Sequence, residues 1–188
     1  MNNNIVRRYW KAYGGWKALF RSTYLWTAVT LSILLFPHWS QPGWWDDVLS
    51  IMPNLLGFSL GGYAMWIAIG DDSFRKLISG EDKDGTPSPY MEVNAAFVHF
   101  ISLQMASMIL ALIAKSYYFK LQPDHIILEL FGSSFKYICL TGYFLSYIIF
   151  IYALLSALAA TFALLRVSSW YDAHQTHLAS EEKTKDKK

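Results

Sequence analysis

Charge is what this chain has least of: Asp, Glu, Lys and Arg make up 16% of its 188 residues, against 54% hydrophobic and 17% aromatic. That balance is too apolar for an ordinary soluble domain of this length. Cysteine is also nearly absent. Cys139 stands alone, which excludes an intrachain disulfide and a thiolate metal cluster. There is no glycine-rich phosphate loop, no internal repeat and no alternation of strand and helix patterns from which an α/β sheet could be built. A net charge of +2 gives no sign of nucleic-acid binding.

The missing charge is missing in blocks. Ser22–Trp45, Val48–Gly70, Val93–Ala114 and Tyr137–Leu165 contain no Asp, Glu, Lys or Arg. Each is as long as the roughly 20 residues that carry a helix across about 30 Å of hydrocarbon. The sequence therefore predicts an all-α integral membrane protein with four spans, over about 22–40, 50–70, 93–115 and 137–165. A basic segment over 1–21 precedes this 22–166 domain and a charged tail over 167–188 follows it. The first span, without a small-residue cleavage site after it, reads as a retained anchor rather than a signal peptide.

The basic residues are one-sided. Thirteen Lys and Arg fall in the amino-terminal arm, in the connection between spans two and three and in the tail, and three (Lys115, Lys120, Lys136) fall in the connection between spans three and four. This predicts a multi-pass protein of the bacterial cytoplasmic membrane with both termini in the cytoplasm. In the arm, "IVRRYWKAYGGWKALFR" spaces Ile5, Tyr9, Trp16, Leu19 and Phe20 as an amphipathic interfacial helix, interrupted at Gly14-Gly15. Arg7, Arg8, Lys11, Lys17 and Arg21, with Arg75 and Lys76 of the inner connection, are candidates for contact with membrane lipids or a cytoplasmic partner. "FPHWSQPGWWDD" reads as an outer turn with its indoles at the headgroup level, and Pro53 as the first residue of the second spanning helix.

Within "PNLLGFSLGGYA", Gly57-Phe58-Ser59-Leu60-Gly61 matches the G-x-S-x-G of a nucleophile elbow. The flanks are a membrane span instead of a strand and a helix, and Asp124-His125 and Asp172/His174 fall on opposite sides of the predicted topology. An enzyme is not expected. Neither calcium at Glu81, Asp82, Asp84 and Gly85 nor zinc at Asp172, His174 and His177 has the required ligand spacing. No cofactor or metal is expected.

The same glycines, four apart, share a helix face with Asn54 and Ser50, and small residues let a second backbone come close in lipid. Two occupants fit this stripe: another helix of the same chain, or copies of this helix around an axis. In the second case Ser50 and Asn54 line a pathway, Gly57 and Gly61 set its width and Phe58 forms a constriction. Span three adds His99, Ser102 and Gln104. Such a histidine bonds a neighbouring helix, lines a vestibule or senses pH. Small or polar faces recur in span four, at Gly142, Ser146, Ala153, Ala157, Ala160 and Thr161, and self-assembly accounts for them most economically. No Arg or acidic residue lies in a span, which argues against a proton relay, a voltage sensor or a transporter of charged substrates.

"YWKAYGGWKALFRSTYLW", then "PNLLGFSLGGYAMWIAIGDDSFRKLIS", on four short spans is similar in size and layout to the small membrane subunits of two-component anti-phage systems, the Kiwa membrane subunit and the Hailong channel effector. That resemblance implies a homo-oligomer, a tetramer, working with a cytoplasmic partner protein or its product. The expected function is an oligomeric inner-membrane channel or pore-forming effector in anti-phage defence, gated through that partner or a ligand. The alternative is a membrane sensor or anchor subunit that recruits a cytoplasmic protein.

Overall fold

The computed structural model describes residues 4–68, 72–80, 86–116, 132 and 134–185. These form eight helices and no strand: α1 (Ile5–Tyr13), α2 (Gly15–Arg21), α3 (Thr23–Leu34), α4 (Phe36–Trp39), α5 (Trp44–Ala68), α6 (Asp72–Ile78), α7 (Pro89–Ser116) and α8 (Ser134–Lys185). Lys83 and the acidic cluster of the connection before α7, and Lys120 with Asp124-His125 of the connection after it, lie outside the described residues.

Three helices, α5, α7 and α8, are long and apolar enough to cross a membrane. The first expected span is not one helix. α3 has 12 residues, about 18 Å at 1.5 Å per residue, and the chain then passes Leu35 into the single turn of α4, with Pro37 near its start. Pro37 has no N–H to donate to the Ile33 carbonyl and its ring crowds that carbonyl, which is why the expected 22–40 helix breaks after Leu34. At its other end α3 begins at Ser22, whose Oγ accepts from Leu25 N–H at 3.4 Å and separates it from α2.

Pro53 lies inside α5, not at its start. Its missing N–H leaves the Leu49 carbonyl without the usual partner. The polar side chains beside it bond to the same turn of backbone: Ser50 Oγ donates to Asp47 O at 2.9 Å and Asn54 Nδ2 to Ser50 O at 3.1 Å. Neither donor reaches the Leu49 carbonyl, and the helix continues through Pro53 on its remaining backbone bonds.

The long helices pack in the order α5, α7, α8, with α3 against the far side of α8. Two cores result. At the end where α5 begins, Trp39, Trp44, Trp45, Val48 and Met52 close on Ala111 and on Tyr147, Phe150 and Ile151. The indoles expected at the headgroup level are therefore core residues: Trp44 is 2% exposed, with ring centroids 5.8 Å from both Tyr143 and Tyr147, and Trp39 Nε1 donates to Ser32 O at 2.6 Å. At the other end Trp66, Phe74, Ile78, Val93, Phe97 and Val167 form the second core. Phe74 anchors α6 on α8 through an edge contact with Tyr171 at 5.0 Å. α8 continues as one helix from the apolar stretch through the charged tail to Lys185.

Candidate functional site: a histidine–tyrosine cluster and an outward polar seam

Between the two cores lies a polar layer. Gln104, fully buried on α7, donates from Nε2 to Ser59 Oγ on α5 at 2.9 Å, and Ser59 Oγ donates in turn to Leu55 O. In lipid such a side-chain pair contributes on the order of 1 kcal/mol and fixes the register of two helices that hydrophobicity alone would let slide. Gln104 Oε1 and Ser107 Oγ, one turn further along α7, have no hydrogen-bond partner among the described residues. Ser59, the serine of the elbow-like motif, sits in a helix interior, 2% exposed, with its hydroxyl occupied by backbone and amide.

His99 is the centre of a second network. Its Nδ1 lies 2.7 Å from the Tyr9 hydroxyl and its Nε2 3.2 Å from the Tyr152 hydroxyl, which is 3.0 Å from that of Tyr13. The Tyr13 ring stacks on the imidazole at a centroid distance of 3.9 Å. A neutral imidazole holds this chain of contacts in either direction, donating from one nitrogen and accepting at the other. Tyr9 and Tyr13, four apart, share one face of α1, so the arm docks on α7 and α8 through two hydroxyls and a stacked ring. Of the three roles the sequence left open for His99, the geometry shows it bonded to neighbouring helices. Sequence reasoning missed its partners Tyr13 and Tyr152. The i, i+4 tyrosines of α1 were the available signal, whereas nothing distinguishes Tyr152 within its aliphatic run.

Burial raises the pKa of both arm tyrosines. Tyr9 is pushed up to about 12, by burial first and by nearby Tyr152 second, and Tyr13 is raised further by burial and by its hydrogen bond to Tyr152. A group whose folded pKa is raised contributes stability below its unfolded value and loses it as pH climbs through the folded value. Docking of α1 is thus expected to be intact below about pH 10 and to fail as pH rises through about 12. Absorbance at 295 nm should show Tyr9 titrating late, a step absent from Tyr9→Phe; a Tyr9 step near pH 10 would mean that the arm is not docked.

The stripe of α5 points elsewhere. Ser50, Asn54, Gly57 and Gly61 are all exposed, as is Phe58 at 80%, and a Cβ built on either glycine meets nothing within 4 Å. Ala64 and Ala68 continue the same alternating three- and four-residue spacing and are exposed too. The sequence thus grouped these residues on one face, but that face is on the outside of the bundle. Ser102 is exposed on α7, whereas His99 and Gln104 are buried.

No family model, curated protein or solved structure matches the chain. The reading of its function rests on these residues.

The basic candidates gather at one end. Arg8 and Lys11 line a cavity with Ser79, Pro87 and Ser88, and Arg75 Nη2 donates to Ile67 O at 3.4 Å where α5 ends. Ser73 and Phe74 meet His174 of α8 at the same end. Arg7, Lys17, Arg21 and Lys76 are not grouped with any described cavity. The opposite end carries the exposed pairs Lys115–Asp46 at 2.9 Å and His38–Asp47 at 2.8 Å, each worth roughly 0–1 kcal/mol.

Proposed function

We propose that the chain is the subunit of a homo-oligomeric channel or pore-forming effector of the bacterial cytoplasmic membrane, gated through a cytoplasmic partner or ligand. The observation that carries this reading is the outward seam of α5. Ser50, Asn54, Gly57, Gly61, Ala64 and Ala68 are small or polar, exposed and unused by the chain's own packing. They repeat with the 3.5-residue average of a helix–helix seam and run about 27 Å, the thickness of a hydrocarbon core. A lipid-facing surface needs no amide and no glycine, whereas glycines let a helix come close to its own copies and an amide suits a water-filled pathway between them. In this assembly Asn54 and Ser50 offer oxygens to a pathway, Phe58 is its constriction, and Gly57 and Gly61 set the distance between copies.

The fourth crossing in this reading is made by α3 and α4 together, whose residues 23–39 extend roughly 25 Å if stacked end to end. Convergence of the basic arm, the connection before α7 and the end of α8 supports a topology with both termini on the cytoplasmic side. A tetramer, a cytoplasmic partner and a role in anti-phage defence follow from the similarity in layout to the Kiwa and Hailong membrane subunits. Asn54→Leu should lower single-channel conductance severalfold without loss of assembly, since its amide bonds within its own helix and the backbone keeps α5 intact. Unchanged conductance removes Asn54 from the pathway.

The second reading, a sensor or anchor, is favoured by α8. It runs about 20 residues past Leu165, roughly 30 Å beyond the apolar stretch, and α6 is clamped on its base by Phe74. A stoichiometric soluble protein recovered with the chain, and no ion flux in liposomes, would decide for it.

A further inference from the structure

The face of α1 that docks on the bundle is also the face that fits a membrane surface. At about 100° per residue, one straight helix over residues 5–21 would gather Ile5, Tyr9, Tyr13, Trp16, Leu19 and Phe20 within an arc of about 120° and leave all five Lys and Arg of the segment outside it. The structure instead turns at Gly14 and Gly15, which are left-handed at φ +96° and +64°, and a Cβ at Gly14 would lie 2.8 Å from that of Ala18. The turn brings Tyr9 and Tyr13 onto His99 and Tyr152, and leaves Ile5, Trp16 and Phe20 79%, 64% and 58% exposed. The docked contact is shallow. No residue of α1 is buried, whereas His99 and Tyr152 beneath it are 9% and 4% exposed. Tyr9 reaches α7 and Tyr13 reaches α8, so the arm straps these two helices together.

We infer that α1 is a releasable strap with two mutually exclusive beds, the His99–Tyr152 site of the bundle and the membrane surface. On the first, the chain turns at Gly14-Gly15; on the second, α1 and α2 straighten into one interfacial helix whose tyrosine face enters the headgroup region. Both beds use the same face, so occupation of one excludes the other. Release strands no polar group, because His99 Nε2 and the Tyr152 hydroxyl keep each other as partners at 3.2 Å. The hydroxyl contacts of Tyr9 and Tyr13 favour the docked state by roughly fivefold each, and the apolar arc with its basic flanks favours the other. Release removes the strap between α7 and α8 and uncovers their two polar side chains. The inference rests on the docked geometry and not on the channel reading.

Spin-label distance measurements on the full chain in phosphatidylethanolamine–phosphatidylglycerol liposomes test this, with Cys139→Ala as background and labelled chain diluted in unlabelled chain. Labels at Arg7→Cys on α1 and Leu165→Cys on α8, both exposed, report one narrow distance for the docked arm and a second, distinct one for the released arm. Tyr9→Phe with Tyr13→Phe removes the hydroxyls that hold the first bed and keeps the rings that suit the second, and should raise the released-to-docked ratio about 25-fold. Gly14→Ala with Gly15→Ala penalises the turn and favours the straight helix, and should raise it by a similar factor with both tyrosines intact. Labels at Ile109→Cys and Leu145→Cys, at the other end of α7 and α8, should keep their distance throughout. In the chain carrying all four substitutions, a label scanned over residues 5–21 should show oxygen accessibility in one unbroken helical period, in phase at Ile5 and Trp16. An arm that holds its docked distance through all four substitutions, loss of the Ile109–Leu145 distance together with docking, or a break of phase at residues 14–15 would each overturn the proposal.

Discussion

Trp44→Ala should cost the protomer about 3 kcal/mol or more, the largest effect expected of any single substitution here. Trp44 is 2% exposed and meets Trp45, Tyr143 and Tyr147 edge-on at 5.8–6.1 Å, so truncation opens a cavity among three rings. Lipid is as apolar as the core, and the loss is therefore mainly of close packing rather than of transfer from water. For a chain of this size the melting temperature should drop by roughly 6–12 °C. Trp44→Phe should cost less, because the indole Nε1 has no hydrogen-bond partner among the described residues and its removal relieves that penalty. Trp16→Ala, at a residue 64% exposed, should change stability by about 0.5 kcal/mol or less. Thermal unfolding of the three variants in one detergent checks the series. Equal losses for Trp44→Ala and Trp16→Ala would mean that the core at the start of α5 does not hold the bundle.

Gly57→Leu and Gly61→Leu should leave the protomer's unfolding unchanged or slightly improved while weakening assembly tenfold or more. Both glycines face open space in the single chain, and leucine is the better helix former by nearly 1 kcal/mol. Between copies the result reverses, since a leucine on each helix at a glycine seam forces the backbones apart and forfeits their close packing. Energy transfer between labelled subunits in liposomes, set against unfolding of the same variants, separates the two effects. Assembly that survives both substitutions would make the seam a lipid-facing surface.

Hydropathy carried much of the fold because the bilayer imposes it: a charge-free run of more than 20 residues has few alternatives to a helix. The helices α5, α7 and α8 follow that rule. Hydropathy does not say which apolar face meets protein and which meets lipid, because the two environments select the same residues. That is why the burial of Trp39, Trp44 and Trp45 within the bundle was not legible, and why the α5 stripe was grouped but not placed. Pro53 was read as a helix start on its missing N–H, but one lost backbone bond does not end a helix of 25 residues held by its other bonds and by packing against α7. His99 and Gln104 were legible as polar residues in a span. Their partners lie 45 to 90 positions away in sequence, and spacing along one chain holds no information about such pairs.

The central claim is that the outward seam of α5 joins copies of this chain. Native mass spectrometry of the protein released from its host membrane in mild detergent tests it most directly, since it reports subunit number and any retained partner together. A closed ring of subunits, four by the similarity in layout, is the result this account predicts, with an added soluble mass identifying what gates it. A monomer with no partner would contradict it.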